Sequence, residues 1–252
     1  MNEFPRVVTR LLRGALLFFP VLWGLFWLST PYGIWGSMYL AALVELLPAL
    51  AIAQLPLVAE EEPLPRVPVY ISSAALILFL GWVALLVGRR EMGLSAMGLQ
   101  PIPFALLAVW TAGIMVAAVL LLLGFFWFRK AAGIPEAPLL RQLLPRTGSE
   151  RVLFVFLSIS AGLGEELAYR GFLVPVLAQL LGGPWPAALL SSALFGVLHA
   201  YQGWLGVMRT ACLGLVLASS FIVTGVLWPA ILAHAMLDIL AGLVLGDLLV
   251  RE

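Results

Sequence analysis

Apolar residues run along this chain in blocks of about 18 or more, separated by short polar or proline-bearing joints, and blocks of that length read as membrane-spanning helices. Eight can be drawn, at about 14–30, 36–58, 67–87, 104–128, 152–181, 185–202, 204–224 and 228–248. The first follows Arg6, Arg10 and Arg13 and lacks a small-residue cleavage site after it, so it reads as a span and not as a signal peptide. The second holds Glu45 and ends in Glu60, Glu61, Glu62 and Pro63; Arg89 and Arg90 close the third, and Arg129 and Lys130 close the fourth. A polar connector then runs to about 150, with Arg141, Pro145 and Arg146 around an amphipathic patch suited to the membrane surface. The stretch 152–181 is longer than one span needs, and Gly171 and Pro175 are its expected breakpoints. Trp110, Trp127, Trp185, Trp204 and Trp228 fall near span ends, as an interfacial belt requires.

Composition supports this pattern. The chain is 63% hydrophobic and 11% charged, against roughly 25% charged in soluble domains. The alternating segments of about 10 residues that mark a β-barrel do not occur. The fold expected is therefore all-α and polytopic: a bundle of about eight transmembrane helices around an intramembrane cavity. A net charge of +1 without a basic patch gives nucleic acid nothing to bind. Cys212 is the only cysteine, so there is no disulfide framework and no thiolate metal cluster. Positive charge gathers in the 129–151 connector, which shares a side with both termini if the spans are even in number. That bias puts the termini in the cytoplasm, and the cytoplasmic membrane of a prokaryote is the expected location.

Ionisable side chains inside such blocks are the informative residues, because each costs at least ~2.5–3.5 kcal/mol at a helix centre and persists mainly where it lines a functional space. Both histidines, His199 and His234, lie in apolar blocks, and a third block carries Glu165, Glu166 and Arg170. Adjacent glutamates point about 100° apart on a helix and cannot share one partner. Arg170 lies four residues after Glu166, on its face, so those two are expected to pair and leave Glu165 without a local cation. Phe195 and His199 are one turn apart, as are His234 and Asp238. Structural readings stand beside these: acids paired or hydrated at an interface, an interfacial His199, and a self-contained His234–Asp238 hydrogen bond.

Glu-Glu-x-x-x-Arg, then Phe-x-x-x-His, then His-x-x-x-Asp, in order on successive helices, resembles the CAAX-protease and bacteriocin-processing family of intramembrane glutamic endopeptidases. The likeness covers roughly 150–245 and divides the chain into N-terminal helices with their connector (1–150) and a catalytic core (151–248). It implies a cavity reaching into the bilayer and a peptidase that uses no metal and no cofactor. Carried across, Glu165 is the general base and His199 its partner in holding water. His234 and Asp238 lie on the oxyanion side, while Glu166, Arg170 and Phe195 are structural support. The partners implied are a peptide or membrane-protein substrate and the bilayer. Many relatives have asparagine where this chain has Asp238, and an ionised aspartate repels an oxyanion. Asp238 is therefore expected to orient His234 by accepting its ring N–H.

Other classes use the same residues. A zinc hydrolase could take His199, His234 and Glu165 as three ligands, although no His-Glu-x-x-His motif is present. A non-catalytic scaffold or immunity protein could keep the fold. A transporter could relay protons through Glu45, Arg209 and Asp238, although no internal repeat supports it. Arg209 is expected to pair with Glu45 or with Glu166. Whether the substrate is lipidated, and the oligomeric state, lie beyond the sequence.

Overall fold

A computed structural model describes residues 4–58 and 64–246, with side chains described for 8–55 and 64–246. The Glu60–Glu62 ending of the second span and the last two residues of the eighth fall outside these residues. Among the described residues every regular element is helical. We number the helices α1 (Phe4–Ser29), α2 (34–58), α3 (Arg66–Glu91), α4 (Phe104–Ala131), α5 (Pro138–Gln142), α6 (Gly148–Leu180), α7 (Pro184–Leu198), α8 (Gly203–Thr224) and α9 (Trp228–Val244). Six of them are long and apolar enough to cross a membrane, while α7 and α9 are shorter apolar helices. The protein is thus a multi-pass integral membrane protein.

The joints form two sets. At one end Gly33 N–H donates to Glu91, the Leu227 N–H to the Gly98 carbonyl, and Gln100 to the Gly225 carbonyl. At the other end Arg66 Nε donates to the Gln142 carbonyl (2.6 Å) and Tyr70 Oη to the Leu143 carbonyl (2.6 Å). The connector expected to rest on the membrane surface is therefore pinned to the start of α3 through α5, whose Leu139 is buried.

Helix α6 is the axis of the site, with α3 and α9 packed along it. It begins at a capping box in which Thr147 and Glu150 satisfy each other's backbone N–H groups. Close approach rests on missing side chains. A Cβ on Gly81 of α3 would lie 2.5 Å from the Gly164 Cα, and one on Gly162 would lie 2.7 Å from the Ile231 carbonyl oxygen of α9. A Cβ on Gly196 of α7 would lie 2.6 Å from the Val207 carbonyl oxygen of α8. Lipid gives helices no hydrophobic reason to associate, so backbone contact at small residues supplies the packing.

The break expected at Gly171 and Pro175 does not occur. Helix α6 runs through, with a π-helical segment at Leu167–Leu173 whose seven residues are all buried. The Val174 N–H reaches back five residues to the Tyr169 carbonyl, which also accepts from Ser191 Oγ. Pro175 falls in the first turn of the resumed α-helix, where a missing N–H is tolerated. The sixth span is also shorter than expected, while the eighth is helical over Trp228–Val244 within the described residues. Helix α7 stops at Leu198 and is followed by a 3-10 turn, Ala200–Gln202, so His199 sits at its C-cap and not inside it.

Candidate active site

The π segment starts immediately after Glu166, a common location for such bulges being functional sites. Glu166 and Arg170 are both fully buried and joined at 2.7 Å, as their one-turn spacing predicts. The guanidinium of Arg170 also lies over the Phe195 ring, 4.4 Å from its centroid. It fits because Gly214 has no side chain: a Cβ there would lie 2.7 Å from Arg170 Nη2. Arg170 thereby ties α6 to α7 and α8.

His234 connects the two glutamates. Its Nδ1 lies 2.8 Å from Glu166 Oε1, the oxygen that also binds Arg170. Its Nε2 lies 3.7 Å from Glu165 Oε2 and 3.7 Å from Asp238 Oδ2. Since a carboxylate only accepts, Nδ1 carries a hydrogen and donates it to Glu166. The expectation that Asp238 receives this N–H is therefore corrected: Glu166 orients the ring, and Asp238 stands beyond hydrogen-bond distance on the opposite edge. A one-turn spacing within α9 could not reveal a buried acid arriving from α6.

Exposure separates the three acids. The Glu166 side chain is 0% exposed, that of Glu165 14% and that of Asp238 42%. Glu165 and Asp238 face accessible space, and Glu166 does not. Glu165, expected to have no local cation on its own helix, has His234 of α9 beside it.

His199 enters from the C-cap of α7. Its Nδ1 lies 2.9 Å from the Phe195 carbonyl oxygen, so Nδ1–H donates there and the Nε2 lone pair is left free. The Phe195 ring is next to both imidazoles, its centroid 4.9 Å from that of His199 and 6.0 Å from that of His234. Phe195 packs edge-on against the buried Tyr169 as well, at 5.3 Å. Among the described residues Glu165 and His199 share no direct hydrogen bond; each is linked to the cluster through a neighbour, Glu165 through His234 and His199 through Phe195.

Arg209 bonds neither Glu45 nor Glu166. It pairs with Glu136 of the connector (3.3 Å) and donates to Gln202 Oε1 (2.9 Å), while Glu136 also holds Arg129 (3.3 Å). The pattern of spans gave no hint of this network, although an acid isolated in a basic connector is a usable signal. Among the described residues no three His, Cys, Asp or Glu side chains are grouped as metal ligands would be.

Helices α6, α7 and α9 thus define a class, the multi-pass membrane proteins whose acid and imidazole groups converge within the bundle. Residues 147–240 match a protein-family model described as Rce1-like, type II CAAX prenyl endopeptidase, which is the family the three motifs point to. The matched segment runs from the N-cap of α6 into the end of α9, and contains the whole acid–imidazole cluster and Arg170. No curated protein and no solved structure matches the chain.

Proposed function

We propose that the protein is a metal-independent intramembrane glutamic endopeptidase, its arginine-rich end facing the cytoplasm. Its substrate on this reading is a membrane-associated peptide, cut near a C-terminus or within a leader. The observation that carries this is the division of labour between neighbouring acids: Glu166 is consumed by Arg170 and His234, while Glu165 stays partly exposed with His234 Nε2 3.7 Å away. Residues 151–248 are the catalytic core in this reading, and the helices before them brace it, chiefly through the α3–α6 contact at Gly81 and Gly164.

The chemistry follows from the hydrogen positions. Water held between Glu165 and the free Nε2 lone pair of His199 gives a proton to the Glu165 carboxylate as its oxygen attacks the peptide carbonyl carbon. The carbonyl oxygen becomes an oxyanion. His234 donates to it from Nε2 in the state that carries both ring protons, with Nδ1–H already given to Glu166. As the C–N bond breaks, Glu165 returns its proton to the departing amine nitrogen, leaving an amine and a carboxylic acid, which then ionises by passing its remaining proton to solvent or to the amine.

The test is cleavage of an internally quenched peptide ending in a farnesylated CAAX sequence, by purified protein in lipid nanodiscs. Turnover is expected to survive exhaustive chelation. Inhibition by chelator with recovery on adding zinc would assign the chemistry to a metal instead.

Asp238 yields a separate expectation. Because Glu166 orients His234, Asp238→Asn keeps the ring in place, removes a negative charge from the oxyanion side and adds an amide donor. It should retain or raise turnover. Asp238→Leu removes the polar group facing Nε2 and should lower turnover by about 10²-fold, as losing one oxyanion-stabilising group does elsewhere. Assayed on the same peptide, equal inactivity of the two variants would make Asp238 a titrating proton carrier.

A further inference from the structure

The 3-10 turn after His199 holds a side chain that the mechanism above does not use. The ring centroid of Tyr201 lies 5.9 Å from that of His199, the planes inclined by 36°. Tyr201 is half-buried and carries its hydroxyl on a ring beside the imidazole of the candidate site. The direction of that hydroxyl is set from outside the cluster. Arg209 has hydrogen-bond donors and no acceptor, so the Gln202 oxygen must face it, as found at 2.9 Å. The Gln202 amide nitrogen is then turned to Tyr201 and donates to its hydroxyl oxygen at 3.1 Å. Arg209 is itself fixed by Glu136 and, through Glu136, joined to Arg129. With Gln202 donating to its oxygen, the Tyr201 hydroxyl keeps its own hydrogen, for which no acceptor is found among the described residues.

We propose that Tyr201 is a further catalytic residue, whose phenol hydrogen is donated to the carbonyl oxygen of the scissile bond and held there as the oxyanion forms. Gln202 and Arg209 are positioning residues that aim this hydrogen. The inference rests on the peptidase reading. It provides the oxyanion with a neutral donor beside His199, in addition to His234.

The experiment uses the full chain in nanodiscs and the quenched farnesylated CAAX peptide, with Glu165→Gln as the reference for an inactive site. Tyr201→Phe keeps the ring against His199 and loses only the hydroxyl. Its kcat is expected to fall by about 10²-fold, with KM within about twofold of wild type. Gln202→Glu is the decisive positioning variant. A carboxylate still binds Arg209 but can only accept, so it draws the phenol hydrogen toward itself and away from substrate. Its kcat should fall as far as that of Tyr201→Phe, at a melting temperature close to wild type, and the double variant should lose nothing more. If Gln202→Glu does not fold, Tyr201→Phe alone decides. Wild-type kcat in Tyr201→Phe, or a change confined to KM, beside an inactive Glu165→Gln overturns this inference and leaves the peptidase standing. A wild-type protein that cleaves nothing, or a fully active Glu165→Gln, overturns both.

Discussion

Glu165→Gln is expected to abolish peptide hydrolysis while leaving the protein folded. The substitution keeps the shape of the side chain and its capacity to bind water but removes the proton acceptor, a loss that typically lowers rate by ~10²–10⁴-fold. Stability should change little, because Glu165 is outside the closed part of the cluster: its side chain is 14% exposed, and its nearest ionic partner is His234 at 3.7 Å. Glu166, one residue on, is 0% exposed and has two partners at 2.7 and 2.8 Å. Steady-state kcat on the farnesylated peptide, with a thermal melt of the same preparation, separates chemistry from folding. A glutamine variant with near-normal turnover would remove Glu165 from the mechanism. A glutamine variant that fails to fold would place it with Glu166 as a structural acid.

The sequence makes some of this arrangement legible and hides the rest for identifiable reasons. Span positions follow from the length of apolar blocks, which bilayer thickness fixes, and all eight expected spans correspond to helices. The Glu166–Arg170 pair is local, one helical turn, and needs no knowledge of neighbours. What one helix donates to another is not encoded in spacing. The Glu166–His234 bond joins residues 68 apart, and the Arg209–Glu136 pair joins residues 73 apart. The first depends on the α6–α9 crossing at Gly162, a glycine whose role shows only when a Cβ is placed against the neighbouring backbone. Gly171 and Pro175 mislead for a related reason. Read singly they break helices, but a π segment moves the proline into the first turn of the next α-helical stretch, where it does no harm.

The closed pair should control stability, and the structure fixes how it responds to exchange. Glu166→Ala strands the Arg170 guanidinium and the His234 N–H, and Arg170→Ala strands the Glu166 carboxylate. Each leaves an uncompensated ion in a low-dielectric interior, at a cost of ~3–5 kcal/mol. By charge alone, Glu166→Arg combined with Arg170→Glu restores the pair and should recover part of the loss. The surroundings are not symmetric, however. Glu166 Oε1 accepts from His234 as well as Arg170, so an arginine there would set a cation against the imidazole. Arg170 lies on the Phe195 face in space left by Gly214, and a glutamate there would put its negative charge against the electron-rich ring face. Both single variants should therefore melt lower, by on the order of 10 °C, and the swapped double should be no better than either. Melting the purified variants in detergent tests this. Single variants as stable as wild type would show that the pair does not hold the bundle, and recovery in the double would show that charge pairing matters more than the contacts to His234 and Phe195.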